Sequence, residues 1–315
     1  MSSGWSHGLI TGTTKRREQG LADPLLVQVM KDMGMESVPL YDGQSEARKT
    51  FNGHIRAMAA SRSGLVGPHR REVADAAAMA AEIKEKARSL GADLVGVCAV
   101  HPVMVDEGAE CSYANVIAIG HHESYQSVLQ GPAAVSDEAH RAYWMVAKIA
   151  TELAIWIREE LGWDALAHHN GGTFIQAVPV MWQCGFGELG KHGSLINEKF
   201  GASFRPSFVT TDLPMAHDAP VSFGVQDRCT ACRVCMNNCP GDAIPDEFFV
   251  DMGVKRWLTD VAKCYPYSRL RTEYCHLCVD SCPFNAPNHP VDYRAFMTER
   301  KKYGYKTPKT AQADV

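Results

Sequence analysis

Eight of the chain's eleven cysteines fall between positions 229 and 282. Cys229, Cys232, Cys235 and Cys239, followed by Pro240, form a C-x2-C-x2-C-x3-C-P run. Cys275, Cys278 and Cys282, followed by Pro283, form a C-x2-C-x3-C-P run, and Cys264 lies eleven residues upstream of it. Two-residue gaps let three thiolates converge on one face of a 4Fe-4S cubane, while the fourth cysteine of such a run is carried away to a second cluster. Eight ligands are enough for two 4Fe-4S clusters. The crossed pattern assigns Cys229, Cys232, Cys235 and Cys282 to one cluster and Cys239, Cys264, Cys275 and Cys278 to the other. Structural zinc also uses Cys-x2-Cys pairs, but the complete run argues against it. Cys98, Cys111 and Cys184 are scattered through the preceding part of the chain and read as small buried hydrophobes. Two neighbouring clusters imply an electron path, so the residues ahead of Cys229 should hold a consumer of single electrons.

Those residues are numerous enough to build one. The chain has 315 residues, room for about two domains of ~150 residues each. Its net charge of −4 and 22% charged residues exclude wholesale disorder and give no basic excess for nucleic acid. No window approaches the roughly 18 consecutive apolar residues of a membrane span. Residues 1–70 show no sustained period and read as an N-terminal extension. In residues 71–90, Val73, Ala76, Ala77, Ala80, Ile83, Ala87 and Leu90 recur at three and four, predicting an amphipathic helix stopped by Gly91. Residues 94–100 and 116–119 read as buried strands. Ala139, Tyr143, Val146, Ala150, Leu153, Ile157 and Leu161 trace one face of a long helix that Gly162 ends. Residues 173–178 read as a strand, and the glycine-rich residues 185–201 as loops or short helices. The alternation predicts an α/β or α+β core over residues 71–222, a cluster domain over 223–300, and a flexible tail over 301–315.

The segment ahead of the clusters runs Gly185-Phe186-Gly187-Glu188-Leu189-Gly190-Lys191, then Gly201-Ala202-Ser203-Phe204-Arg205, then Thr211-Asp212-Leu213-Pro214 and Asp218, into Phe223-Gly224 and Cys229. With the cysteine layout, this order resembles the cobalamin-dependent reductive dehalogenases and, more distantly, the epoxyqueuosine reductases, over about residues 75–290. The resemblance implies a nitroreductase-like α/β core that binds base-off cobalamin, followed by a bacterial ferredoxin-like domain with two 4Fe-4S clusters. An Asp-x-His-x-x-Gly loop, which ligates cobalt in other cobalamin proteins, is absent: His168 and Gly171 fit its second half, but residue 166 is leucine. His168 and His169, being adjacent, point apart and do not read as a metal pair.

The chemistry the resemblance implies is removal of halide from a small organohalide by Co(I) cobalamin fed by the clusters, with a tyrosine as proton donor. That phenol, of pKa ~10 when unperturbed, is tuned by an adjacent cation. Tyr143 matches the tyrosine and Arg205 the cation, and Asn170 completes the catalytic trio by facing the halide or the substrate. Glu188 and Lys191 are candidate cofactor contacts. Read without the resemblance, Tyr143 is a core aromatic, Arg205 a surface cation and Asn170 a turn residue. Two other functions stay open: modification of a nucleoside in tRNA, as in epoxyqueuosine reduction, and electron transfer by a non-enzymatic two-cluster carrier. Acidic net charge argues against the tRNA partner. Arg16 and Arg17 are followed by Glu18, Gln19 and Gly20 where the apolar part of an export signal should begin, so a cytoplasmic enzyme is expected. It is expected to take electrons from a separate ferredoxin or flavodoxin.

Overall fold

A computed structural model describes residues 45–106, 109–170, 173–251, 254–268 and 274–285. Most of the expected N-terminal extension and the whole expected tail, 301–315, lie outside the described residues.

At the centre is a four-stranded antiparallel sheet in the order β1-β2-β6-β3, built from Leu94–Ala99 (β1), Asn115–His122 (β2), Ala165–His168 (β3) and Phe204–Thr211 (β6). Successive strand side chains alternate between faces, and each face of this sheet is buried. Ile117 and Ile119 of β2 enter a core with the helices Ala76–Ser89 and Pro132–Leu161, whereas Val116 and Ala118 enter a second core with the helix Ala177–Gln183. Because every pairing is antiparallel, the mixed fold is α+β rather than a βαβ array. In chain order the helices of this half are Glu46–Ala57 (α1), Ala76–Ser89 (α2), Gln126–Gln130 (α3), Pro132–Leu161 (α4) and Ala177–Gln183 (α5). No described helix is long and apolar enough to cross a membrane.

Helix α2 begins where Asp75 caps the backbone N–H groups of Ala77 and Ala78. Helix α4 begins at Pro132, earlier than its apolar stripe suggests, because proline suits the first helical turn. Residues 45–67 belong to the packed unit: Phe51 of α1 stacks on Trp144 of α4 at 5.6 Å, and Arg62 exchanges hydrogen bonds with Ala167 of β3.

Two expectations are corrected. Residues 173–178 form no strand; Ile175 makes a single bridge to Val105 and α5 starts at Ala177. A short apolar run fits a buried helix as well as a strand. Residues 185–201 hold a two-stranded hairpin, Glu188–Leu189 (β4) with Leu195–Ile196 (β5). Strand β6, which the sequence reading did not place, contains Pro206, normally foreign to sheet interiors. It is tolerated because β3 extends only to the register of Phe208, so Pro206 is flanked by β2 alone.

The cysteine-rich half adds helices Val225–Ala231 (α6), Val234–Asn237 (α7), Val261–Ser268 (α8) and Leu277–Asp280 (α9), and a hairpin of Phe249–Asp251 (β7) and Val254–Arg256 (β8). Hydrogen bonds tie it to the sheet half, two sets of them at the start of α6 and at Asn285. Glu188 of β4 accepts hydrogen bonds from the backbone N–H groups of Phe223 and Val225, at the start of α6. Asn285 accepts from the Ala202 N–H at 2.7 Å and donates to Ser203 Oγ at 3.1 Å.

Candidate functional site

Cys229, Cys235, Cys264 and Cys278 lie on the short helices α6, α7, α8 and α9, and Cys229, Cys235, Cys239 and Cys282 are buried. Burial pushes the Cys282 thiol strongly up, and the nearby Cys235, Cys229 and Cys232 add to it. Burial likewise takes Cys235 to about 12, with Cys229 and Cys232 contributing. Cys275 is pushed up to about 11 by burial, against the Leu277 backbone N–H, with Cys264 and Cys239 contributing. Cys235, Cys239, Cys264 and Cys278 also meet in one packed group. Cys282 thus lies near Cys229, Cys232 and Cys235, and Cys275 near Cys264 and Cys239. Crowding thiolates in a dry site is unfavourable without a compensating cation, and this soft all-sulfur donor set fits 4Fe-4S chemistry.

Beside this region is a cavity of about 220 Å3. It brings together Tyr143 from α4, Arg205 from β6 and Asn170 from the end of β3, 27 to 62 positions apart in sequence. Met181 and Phe208 supply apolar wall, and Ala202, also in the lining, packs in one group with Cys229 and Cys282. A second cavity of about 340 Å3, lined by Cys98, Met104, Trp182 and Val254 among others, holds none of the expected site residues.

The guanidinium of Arg205 is held on three sides. Its Nε donates to Glu123 Oε1 at 2.7 Å, its Nη1 to the Tyr143 hydroxyl at 3.3 Å, and its Nη2 to His276 Nε2 at 2.6 Å. The guanidinium carbon also lies 5.0 Å from the centre of the Tyr143 ring. Burial works against this charge, but Glu123, Tyr143 and Tyr274 outweigh it and hold the Arg205 pKa well above its ordinary value. Arg205 therefore stays a cation, and its field falls on the Tyr143 oxygen. Asn170 is exposed and lines the same cavity. His168 and His169 line it too; burial takes them down to about 3 and about 4, with the Arg62 charge contributing, so both are neutral at pH 7.

Glu188 and Lys191 do not line the cavity. The Glu188 carboxylate holds the start of α6, and Lys191, fully buried, pairs with Asp246 at 2.7 Å. Lys191 Nζ also approaches the Thr230 carbonyl at 3.4 Å, next to Cys229. Their side chains position the cysteine-bearing segment. A corrin macrocycle exceeds a drug-sized ligand, whose pockets run to roughly 300–1,000 Å3, and the cavity is about 220 Å3. No residue lining this cavity is assigned to hold a corrinoid.

Two residues of this site, Glu123 and His276, were not anticipated. Glu123 ends no motif, and His276 lies inside the second cysteine run, where it reads as filler between ligands.

Comparisons with known proteins follow the same lines. A family of 4Fe-4S binding domains, Fer4_4, matches residues 226–252. A tetrachloroethene reductive dehalogenase of Desulfitobacterium hafniense is 30% identical over 193 residues, covering 56% of this chain and 34% of that protein. An epoxyqueuosine reductase of Leadbetterella byssophila is 30% identical over 148 residues, covering 40% of this chain and 44% of that protein. The chain spans about a third of the length of the dehalogenases it matches. Among solved structures, the catabolic reductive dehalogenase NpRdhA in complex with 3-bromo-4-hydroxybenzoic acid superposes with a TM-score of 0.71 at 26% identity, covering 80% of this chain and 39% of that one.

Proposed function

Because the chain is related to the reductive dehalogenases, and through them to the epoxyqueuosine reductases, we propose that it reduces a small organohalide. In this reaction R–X, two electrons and one proton give R–H and halide. The observation that carries the reading is the Tyr143 hydroxyl 3.3 Å from a permanently charged Arg205 in one small cavity beside the cysteines. A phenol so placed can release its proton at the carbon that loses halide, since the adjacent cation stabilises the phenolate left behind. Asn170 is the amide that would face the halide or orient the substrate. Two 4Fe-4S clusters, on Cys229, Cys232, Cys235 and Cys282 and on Cys239, Cys264, Cys275 and Cys278, deliver the electrons one at a time from a separate ferredoxin or flavodoxin. Base-off cobalamin enters the proposal through the family likeness and not through the described cavity.

The test is anaerobic reconstitution with iron and sulfide, with and without cobalamin, followed by iron and cobalt analysis and electron paramagnetic resonance. Halide release is then assayed on tetrachloroethene and 3-bromo-4-hydroxybenzoate with a reduced donor. About eight irons per chain are expected, two cubanes, together with cobalamin-dependent halide release. Iron without cobalt uptake overturns the enzyme reading and leaves an electron carrier. Cobalt uptake with reduction of epoxyqueuosine tRNA but of neither halide transfers the chemistry to the nucleoside.

A further inference from the structure

Arginine and carboxylate groups prefer a two-point, fork-to-fork pairing. Arg205 and Glu123 do not make it. Glu123 is 5% exposed, its Oε1 takes the Arg205 Nε, and its Oε2 is buried with no hydrogen-bond partner among the described residues. A buried carboxylate oxygen left unpaired is unfavourable and calls for an explanation. The nearest one is His276. Its Nε2 accepts from Arg205 Nη2 at 2.6 Å, while its Nδ1 donates to Asp280 Oδ1 at 2.8 Å, one helical turn ahead on α9. Asp280 is 1% exposed, and Tyr274 stacks on the imidazole at 5.8 Å. Accepting from a cation, Nε2 must carry a lone pair, so the carboxylate of Asp280 fixes the Nδ1–H tautomer.

We propose that His276, set by Asp280, is a positioning residue: it draws the Arg205 guanidinium out of two-point pairing with Glu123 and so keeps Nη1 on the Tyr143 hydroxyl. The proposal rests on the reading of Tyr143 as proton donor. It adds that the cysteine-bearing loop contributes to the substrate cavity, because His276 lies between Cys275 and Cys278. The loop that ligates the second cluster thus aims the cation that faces the phenol. Without His276, Nη2 turns to the vacant Glu123 Oε2, and Nη1 swings off Tyr143.

The test compares His276→Leu with His276→Gln as reconstituted holoproteins. Leucine removes the acceptor; glutamine retains one in its side-chain oxygen. For His276→Leu, kcat should fall about tenfold, the worth of one charge-assisted hydrogen bond, with KM little changed and both cluster resonance signals intact. His276→Gln should recover most of the loss. A crystal structure of the oxidised His276→Leu holoprotein should show Arg205 in two-point contact with Glu123 and Nη1 away from Tyr143. That structural readout stands even if no halide is released, so failure of the positioning role and failure of the dehalogenase reading are separable. Arg205 unmoved in His276→Leu overturns the proposal, as does loss of cluster signals in both variants, which would make His276 a support of the cluster alone. If His276→Leu does not assemble, Asp280→Asn keeps the side-chain shape while weakening the tautomer lock. It should lower kcat severalfold at constant KM, and an unchanged kcat overturns the proposal.

Discussion

The Tyr143 oxygen and a cation meet because α4 lays its apolar face on the sheet while β6 begins beside it. Replacing Tyr143 by phenylalanine removes one oxygen and leaves the ring packing. Halide release should then fall by about 10²–10⁴, the usual worth of a general acid, with iron content and cluster spectra intact; undiminished turnover would remove Tyr143 from the chemistry. Arg205→Lys tests the cation. An ammonium is a point charge that cannot span Glu123, Tyr143 and His276 together, so thermal unfolding should come earlier and kcat should drop even though charge is conserved. A variant matching wild type in both would mean that only the charge matters. At this scale the run Cys229, Cys232, Cys235 and Cys239 was legible from its spacing alone, and it falls within the matched 4Fe-4S binding domain. The Tyr143 and Arg205 pair was reached through the family likeness. Glu123 and His276 were illegible, lying 82 and 71 positions from the arginine they hold, a distance only the folded chain closes.

The β4–β5 hairpin carries Glu188, which holds the start of α6, and the glycines flanking it permit close backbone approaches. A Cβ at Gly187 would come within 2.1 Å of the Ile196 carbonyl oxygen. At Gly201, where φ is +59°, a Cβ would sit 2.0 Å from Asn285 Oδ1, the group that ties Ala202 and Ser203 to the cysteine-bearing half. Alanine at either position should lower the thermal midpoint and the iron retained after desalting, because the displaced backbone carries Lys191 and Glu188 beside α6. Gly53 in α1 is the control: a Cβ there meets nothing within 4 Å, and alanine should stabilise by ~0.5–1 kcal/mol. Equal behaviour of Gly187→Ala and Gly53→Ala would refute the close-approach argument. Elements with a clear period, α2 and the stripe of α4, were readable from sequence, as were β1 and β2 from their apolar runs. Strand β6 was hidden by Pro206. Helix α5 was misread because a short apolar run is too brief for its period to distinguish helix from strand.

Over the whole molecule, several imidazoles are sealed in without charge, which makes the fold sensitive to acid. Burial takes His168 down to about 3, and His169 and His140 to about 4. His168 spends its Nε2 on Thr210 Oγ1, and His169 its Nε2 on Thr151 Oγ1. An unfolded histidine titrates near ~6.5. Between that value and about 4 the unfolded chain binds protons that the folded chain refuses, so stability is full above the upper limit and declines as pH falls through the window. Asp93 acts in the same direction at lower pH. Burial raises its pKa, but hydrogen bonds from His121 and His122 outweigh this and hold it low, so its contribution is lost only below the window. Each refused proton contributes a slope of about 1.4 kcal/mol per pH unit. Anaerobic urea unfolding at pH 7, 6 and 5 should show the midpoint falling. His168→Gln, which keeps a polar group near Thr210 but cannot be protonated, should reduce the slope by about one proton's worth. Because clusters are themselves damaged by acid, the difference in slope between the two proteins is the quantity that decides. Identical slopes would mean that His168 takes up its proton in the folded state as readily as in the unfolded one, and that the sheet interior around it admits water.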